Sequence, residues 1–177
     1  PFFGIEEEIA RIAPKEQAHA DRYLQLKTCS SEALRGKILI DSPGFDADHS
    51  RASILKLTSY LLDRCDLVLL VFDARHPEPG AMRDTLEYRG AAARERADAE
   101  KFLFVLNQMD ATAREDNPEE VFAAWQRALA EKGVTSGRFY AIYNPDLATP
   151  IADDEQRARY EQKRDFDLTE IEERMHA

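Results

Sequence analysis

Residues 38 to 48 read ILIDSPGFDAD: an aliphatic run ends on Asp41, and Pro43 and Gly44 follow at once. Asp, Pro and Gly are ordinary turn residues, so a plain turn accounts for the stretch taken alone. The chemical reading asks more of it. An aspartate at a strand tip can hold a magnesium ion through a water. A glycine three residues on lets its N–H approach a terminal phosphate with no side chain in the way. A second motif, FVLNQMD, places Asn107 and Asp110 three apart directly after another apolar run. That carboxylate can accept two hydrogen bonds from the N1–H and amino group of a guanine, while Asn107 ties neighbouring loops together. Gln108 between them could lay its stem on the base. Tyr143 and Asn144 close a further apolar run with a turn.

The elements that must position these residues follow from periodicity. KILI, residues 37–40, suits a strand buried on both faces. Ile54, Leu55, Leu57, Leu61 and Leu62 form a helical face. DLVLLVFDA is the clearest strand, KFLFVLNQMD is another buried strand, and GRFYAIYNPD a fourth. Between the last three lie a polar helix over 81–100 and a well-signalled helix over 117–133. The latter has Asn117 as cap, Pro118 in the first turn, early glutamates and Gly133 at its far end. Val121, Phe122, Trp125 and Leu129 make its apolar stripe, so Trp125 is expected in the core. Isoleucines at 5, 9 and 12 suggest a short helix before these, and DRYLQLKT reads equally as helix or strand. Strands alternating with helices at this spacing predict an α/β fold, a doubly wound and mostly parallel sheet with helices on both faces, over residues 1–150. In such sheets ligands bind beyond the carboxyl ends of the strands, so Asp41, Asp73, Asn107 to Asp110, and Tyr143 to Asn144 are expected on one rim. Residues 151–177 are almost wholly charged, with a thin apolar line at Tyr160, Leu168, Ile171 and Met175 and a capping box from Thr169 to Glu172. They predict a helical extension leaving the domain, the start of a stalk or bundle, with its stripe uncovered.

Composition narrows the class. The 177 residues hold 24 Lys and Arg against 34 Asp and Glu, a formal charge of −10, which argues against a sequence-independent grip on nucleic acid. No apolar run approaches the roughly 20 residues of a membrane span. Cys29 and Cys65 lack metal-ligand spacing and predict reduced thiols in a cytoplasmic protein. The chain opens on Pro1 rather than methionine, so a beginning that lies elsewhere is expected.

In order and spacing, ILIDSPGF, DLVLLVFDARHPEPGAMRD, FLFVLNQMD and FYAIYN resemble translation-factor-class GTPases, and within them the dynamin superfamily with its bacterial and EH-domain-type members. The resemblance covers roughly residues 35 to 146. NQMD stands for the family's N-K-x-D, with Gln108 at the lysine. The D-x-P-G form followed by Phe45 is similar to dynamin-like proteins, and puts Phe45 where small GTPases keep a water-positioning glutamine. By resemblance, Asp73 is architectural, Tyr143 and Asn144 touch the base or ribose, and Asp41 and Gly44 serve GTP hydrolysis. GTP or GDP and magnesium are the implied ligands, Asp41 holding the metal through water. Self-association across the nucleotide face, and peripheral membrane contact through parts outside this chain, are the implied partners. The departures are specific. The family needs G-x-x-x-x-G-K-[ST], yet none of the seven glycines is five from another. Thr28 lies too close to Asp41 to be the switch threonine. Two expectations therefore stand side by side: a truncated GTPase domain, or a GTPase-derived interaction module without catalysis.

The competing readings are weaker. Asp46, Asp48 and His49 could suggest a metal cluster, but fit a solvated switch segment better. His19, His76 and His176 have no partners at ligand spacing and read as surface residues. Haloacid-dehalogenase-type phosphatases need a second aspartate two residues after the first. Here Asp41 is followed by Ser42 and Pro43, and Asp73 by Ala74 and Arg75. Response-regulator and flavodoxin-like domains share the sheet but predict neither DSPGF nor NQMD.

Overall fold

The structure, a computed structural model, describes residues 27–41, 60–76, 100–113, 118–134 and 137–176 together with Arg11. The chain divides into two units, Pro1–Arg64 and Cys65–Ala177.

The second unit is built on a three-stranded parallel sheet, in the order β1 (Val68–Asp73), β2 (Phe102–Asn107), β3 (Arg138–Ala141). Its register sets Asp73 beside Asn107 and Leu106 beside Ala141, so all three strands end on one rim. The central strand FLFVLN is apolar until its last residue and buried from Phe102 to Leu106. Two helices account for that burial. α1 (Pro118–Glu131) lays Trp125 and Leu129 on the face that carries Phe72, Phe104 and Phe139. The Trp125 ring meets Phe72 at 5.3 Å and Phe139 at 5.8 Å, edge to face in both cases. α2 (Asp154–His176) covers the other face, where Ile171 and partly buried Met175 pack on Leu103, Val105 and Tyr140. Period-2 alternation along each strand puts these two sets on opposite faces.

The ends of α1 follow from its sequence. Pro118 starts it, two glutamates sit in its first turn, and Gly133 adopts φ +86° just past its end. Val134 N–H then bonds to Leu129 C=O at 3.0 Å and Gly133 N–H to Ala130 C=O at 2.9 Å, a Schellman closure. Gly137 opens β3 at φ +128°, where an added Cβ would lie 2.7 Å from the Phe104 ring, so glycine is required twice over.

Three sequence expectations are corrected. Lys37 to Ile40 form no strand and are not buried: Ile38, Leu39 and Ile40 are 57%, 65% and 46% exposed. No described strand pairs with this run, and an aliphatic sequence buries only what a neighbour covers. β1 is covered on one face alone, leaving Leu69 and Val71 at 39% and 47% exposed. The last helix does not leave with its stripe bare. Tyr160 and Ile171 are buried against the sheet, and buried Asp167 accepts the Ala141 N–H at 2.5 Å. Thr169 is also no cap, because it lies inside α2 and bonds back to Asp165 C=O at 2.8 Å. The helix starts instead at Asp153, whose carboxylate accepts the Gln156 N–H at 2.6 Å.

The helix expected over 50–65, which carries Ile54, Leu55, Leu57, Leu61 and Leu62, is described as helix only from Tyr60 to Leu62. The readings placed on Gly44, Phe45, Asp46, Asp48, His49, His19, Asn117, most of 5–26 and the 81–99 helix fall outside the described residues. Both cysteines are free thiols, Cys29 exposed and Cys65 half-buried. Burial pushes the Cys65 thiol above its ordinary value, opposed by Lys101 and assisted by Asp66. Iodoacetamide should therefore label Cys29 first at pH 8, with Cys65 lagging severalfold. Equal rates by peptide mass mapping would contradict that order.

Candidate functional site

The rim of the sheet is organised around the turn that ends β2. Asn107 folds back so that its Oδ1 accepts the Gln108 N–H at 2.8 Å. Gln108 takes φ 64° and ψ 35°, a left-handed conformation that costs a non-glycine residue roughly 1 kcal/mol. A single 3-10 turn, Met109–Thr112, follows. It is tied to β3, since Met109 N–H donates to Ile142 C=O at 3.2 Å and Ile142 N–H to Leu106 C=O at 2.9 Å. The Thr112 hydroxyl donates to Met109 C=O at 2.8 Å and lies 3.2 Å from the Tyr160 hydroxyl, linking the turn to α2. Strain held in place by this many bonds is the pattern expected where a backbone is being aimed at something.

Asp110 is the residue that this turn aims. It is 6% exposed, and its Oδ2 accepts the Thr149 N–H at 2.5 Å. Each carboxylate oxygen has two lone-pair directions, and among the described residues the Thr149 N–H is the donor recorded on this carboxylate. On the adjoining strand, Asp73 is clamped by Arg75. The Arg75 backbone N–H reaches Oδ1 at 2.9 Å, and the guanidinium spans both oxygens at 2.5 to 3.1 Å. Ala74 N–H donates to Asn107 C=O at 2.9 Å, locking the two strand ends together. The Asp73 carboxylate is thus engaged by Arg75 two residues on.

The Arg75 guanidinium holds the Asp73 carboxyl below the usual carboxylate range, with burial opposing the shift. A depressed folded value means the pair contributes stability above the unfolded aspartate pKa, and loses it as pH falls through the folded one. Arg75→Ala should move the Asp73 titration upward, towards the ordinary value near 4. Carboxyl chemical shifts followed through an acid titration read this directly, and an unmoved Asp73 would contradict the pairing.

The third strand end differs from its expected use. Tyr143 is 5% exposed, with its ring 6.5 Å from that of Tyr160 and 5.0 Å from the Arg164 guanidinium. Burial raises its phenol above the ordinary value, while Arg164 lowers it. Its ring is committed to α2 and not displayed on the rim. Asn144 is exposed and closes a turn, its Oδ1 accepting the Asp146 N–H at 2.9 Å.

The structure therefore brings together Asp73, Asn107, Gln108, Asp110 and the Tyr143–Asn144 loop. Asp41 belongs to the other unit and is exposed, and Gly44 falls outside the described residues. No group of three or more His, Cys, Asp or Glu among the described residues could hold a metal on its own. None of the described helices is long and apolar enough to cross a membrane. Sequence reasoning missed Thr149, Arg75 and Asp167. Arg75 and Asp167 carried a local signal, an arginine two residues after an aspartate and a Lys163–Asp167 pair at helical spacing. Thr149 carried none, because it bonds across 39 residues through its backbone N–H.

An uncharacterized GTP-binding protein of Methanocaldococcus jannaschii is 29% identical over 86 residues, covering 49% of this chain. The match spans 20% of that protein's length. The likeness supports a relationship to GTP-binding proteins. No family model matches the chain, and no solved structure matches it.

Proposed function

We propose that this chain carries the base-reading part of a dynamin-like GTPase domain, which in the parent protein binds and hydrolyses GTP with magnesium to drive assembly or membrane work. The observation that supports this reading most is the Asn107–Asp110 turn. A strained turn at the end of the central strand holds a carboxylate by one oxygen and leaves acceptor positions for a base. A guanine offers the matching pair of donors, N1–H and the 2-amino group, whereas adenine offers an acceptor at N1. Asn107 fixes the turn through Gln108, and Gln108 stands beside it where an uncharged stem can lie on a ring. The likeness to a GTP-binding protein points the same way.

The phosphate side of the proposal rests on sequence. Asp41 would hold magnesium through a water, the nucleotide oxygens supplying most of the shell. Gly44 would offer its amide to the terminal phosphate, and Phe45 leaves hydrolysis without a glutamine to place the water. Asn144 stays at the edge of the base site. Self-association across the nucleotide face, and peripheral membrane contact by other parts of the parent, belong to the same proposal.

A second reading is an interaction module descended from a GTPase but without catalysis. It is favoured by a sequence in which no two glycines bear the G-x-x-x-x-G spacing. The two readings separate on a coding frame that supplies G-x-x-x-x-G-K-[ST] within about 100 residues upstream of Pro1. On either reading, the purified 177-residue chain should not hydrolyse GTP above the buffer rate. Turnover that Asp41→Ala abolishes would overturn that expectation. Displacement of a labelled guanine nucleotide by GTP but not by ATP supports the base assignment, and equal displacement by both refutes it.

A further inference from the structure

Behind the base-reading turn lies a cavity of about 320 Å³, set between the start of α1, the middle of α2 and the end of β3. Its floor is apolar and buried, made by Met109, Ala141, Tyr143 and Tyr160. Half-buried Phe122 and Ala123 form the α1 wall. That volume falls at the lower end of small-molecule sites.

The rim carries charge of a particular kind. Exposed Arg159 and Lys163 border it from α2, with Glu119 across on α1. Lys163 is neutralised by Asp167 and sits 5.4 Å above the Phe122 ring. Arg159 makes no ion pair with another described residue, so its guanidinium fork is the uncommitted cation at this opening.

We propose that this cavity binds a small aromatic carboxylic acid, its ring among Phe122, Tyr143 and Tyr160 and its carboxylate on Arg159. Three aromatic walls offer a flat ring offset-stacked and edge contacts. A planar carboxylate matches the guanidinium fork in a bidentate pair. The site is distinct from the base site yet shares its frame, for Met109 precedes Asp110 and Tyr143 precedes Asn144. Any coupling between a ligand here and a ligand on the rim is reciprocal.

The test uses 2-naphthoate as probe and the full chain labelled with ¹³C-methyl methionine. The chain has three methionines, of which Met109 lines the cavity and Met175 packs elsewhere on the sheet, so Met109 reports on the cavity with Met175 as an internal reference. Naphthoate should shift the Met109 methyl saturably, with a dissociation constant on the order of 1 mM or tighter. Arg159→Gln should weaken naphthoate about tenfold while leaving binding of the neutral isostere 2-naphthalenemethanol unchanged. The substituted residue is exposed, so the fold is retained. A Met109 signal that never moves, or an acid and an alcohol that bind alike, overturns the proposal. Because the readout needs no nucleotide, failure of the guanine assignment would leave this result standing. A change in naphthoate affinity on adding GDP would join the two.

Discussion

Asp110→Asn should lower guanine-nucleotide affinity on the order of 100-fold and leave xanthine nucleotides bound better than guanine ones. The reason lies in which groups face each other. Asp110 offers oxygens only, and a guanine edge offers N1–H and an amino group. An asparagine keeps one oxygen for the Thr149 N–H, which sits at 2.5 Å, and turns its amide nitrogen to the base. Amino group then meets amide nitrogen, donor against donor, and a buried unpaired donor costs about 1–3 kcal/mol. Xanthine carries an oxygen at that ring position and restores the match. The substitution keeps shape and volume, so the fold is expected to survive. Displacement of a fluorescent nucleotide by GDP and by XDP, before and after the substitution, measures the change. Unaltered selectivity would place base recognition somewhere other than Asp110.

Asp167→Ala should cost about 2–4 kcal/mol of stability, far more than an ordinary surface change on so charged a helix. Asp167 is 1% exposed, and its Oδ2 receives both the Ala141 N–H and the Lys163 ammonium. Tyr140 and Ile142 turn their edges inward to β2, so the outward N–H of Ala141 is an edge-strand donor that water cannot reach. Removing the carboxylate leaves that donor without a partner. The Lys163 ammonium loses its partner too, but its side chain is 48% exposed and can turn to solvent. Lys163→Met removes the cation beside a buried carboxylate but leaves the Ala141 N–H its acceptor, and should cost less than Asp167→Ala. Urea unfolding followed by fluorescence of the single tryptophan, Trp125, which is fully buried, reads both variants. Equal losses in the two would show that the ion pair, and not the edge N–H, is what Asp167 serves.

These two residues mark how far the sequence could be read. Asp110 was legible because its motif is local: a buried strand, then Asn and Asp at fixed spacing, with strand and turn written in consecutive residues. The same holds for α1, whose proline, early glutamates and Gly133 were all visible as type and position. Asp167 was not legible. Its neighbours predicted a solvated helix, and only the meeting of α2 with the edge of β3 turns one carboxylate into a buried acceptor.

The aliphatic runs show the same division. KILI and DLVLLVFDA look alike in composition, yet only the second joins a sheet among the described residues, and on one face only. Hydrophobicity states that burial is favourable; it does not name the neighbour that provides it.

By itself, the sequence determined the α/β alternation over 67–144, the buried character of FLFVLN, the bounds of α1, and the residue types gathered at Asn107 to Asp110. These depend on periodicity and turn chemistry, which act over a few residues. The tertiary structure alone decided that Thr149 holds Asp110, that Arg75 occupies Asp73 beside Asn107, that Tyr143 turns inward to α2, and that α2 lies on the sheet. Each of these depends on register and on the meeting of segments far apart in the chain, where a backbone N–H counts as much as any side chain and leaves no mark in the sequence.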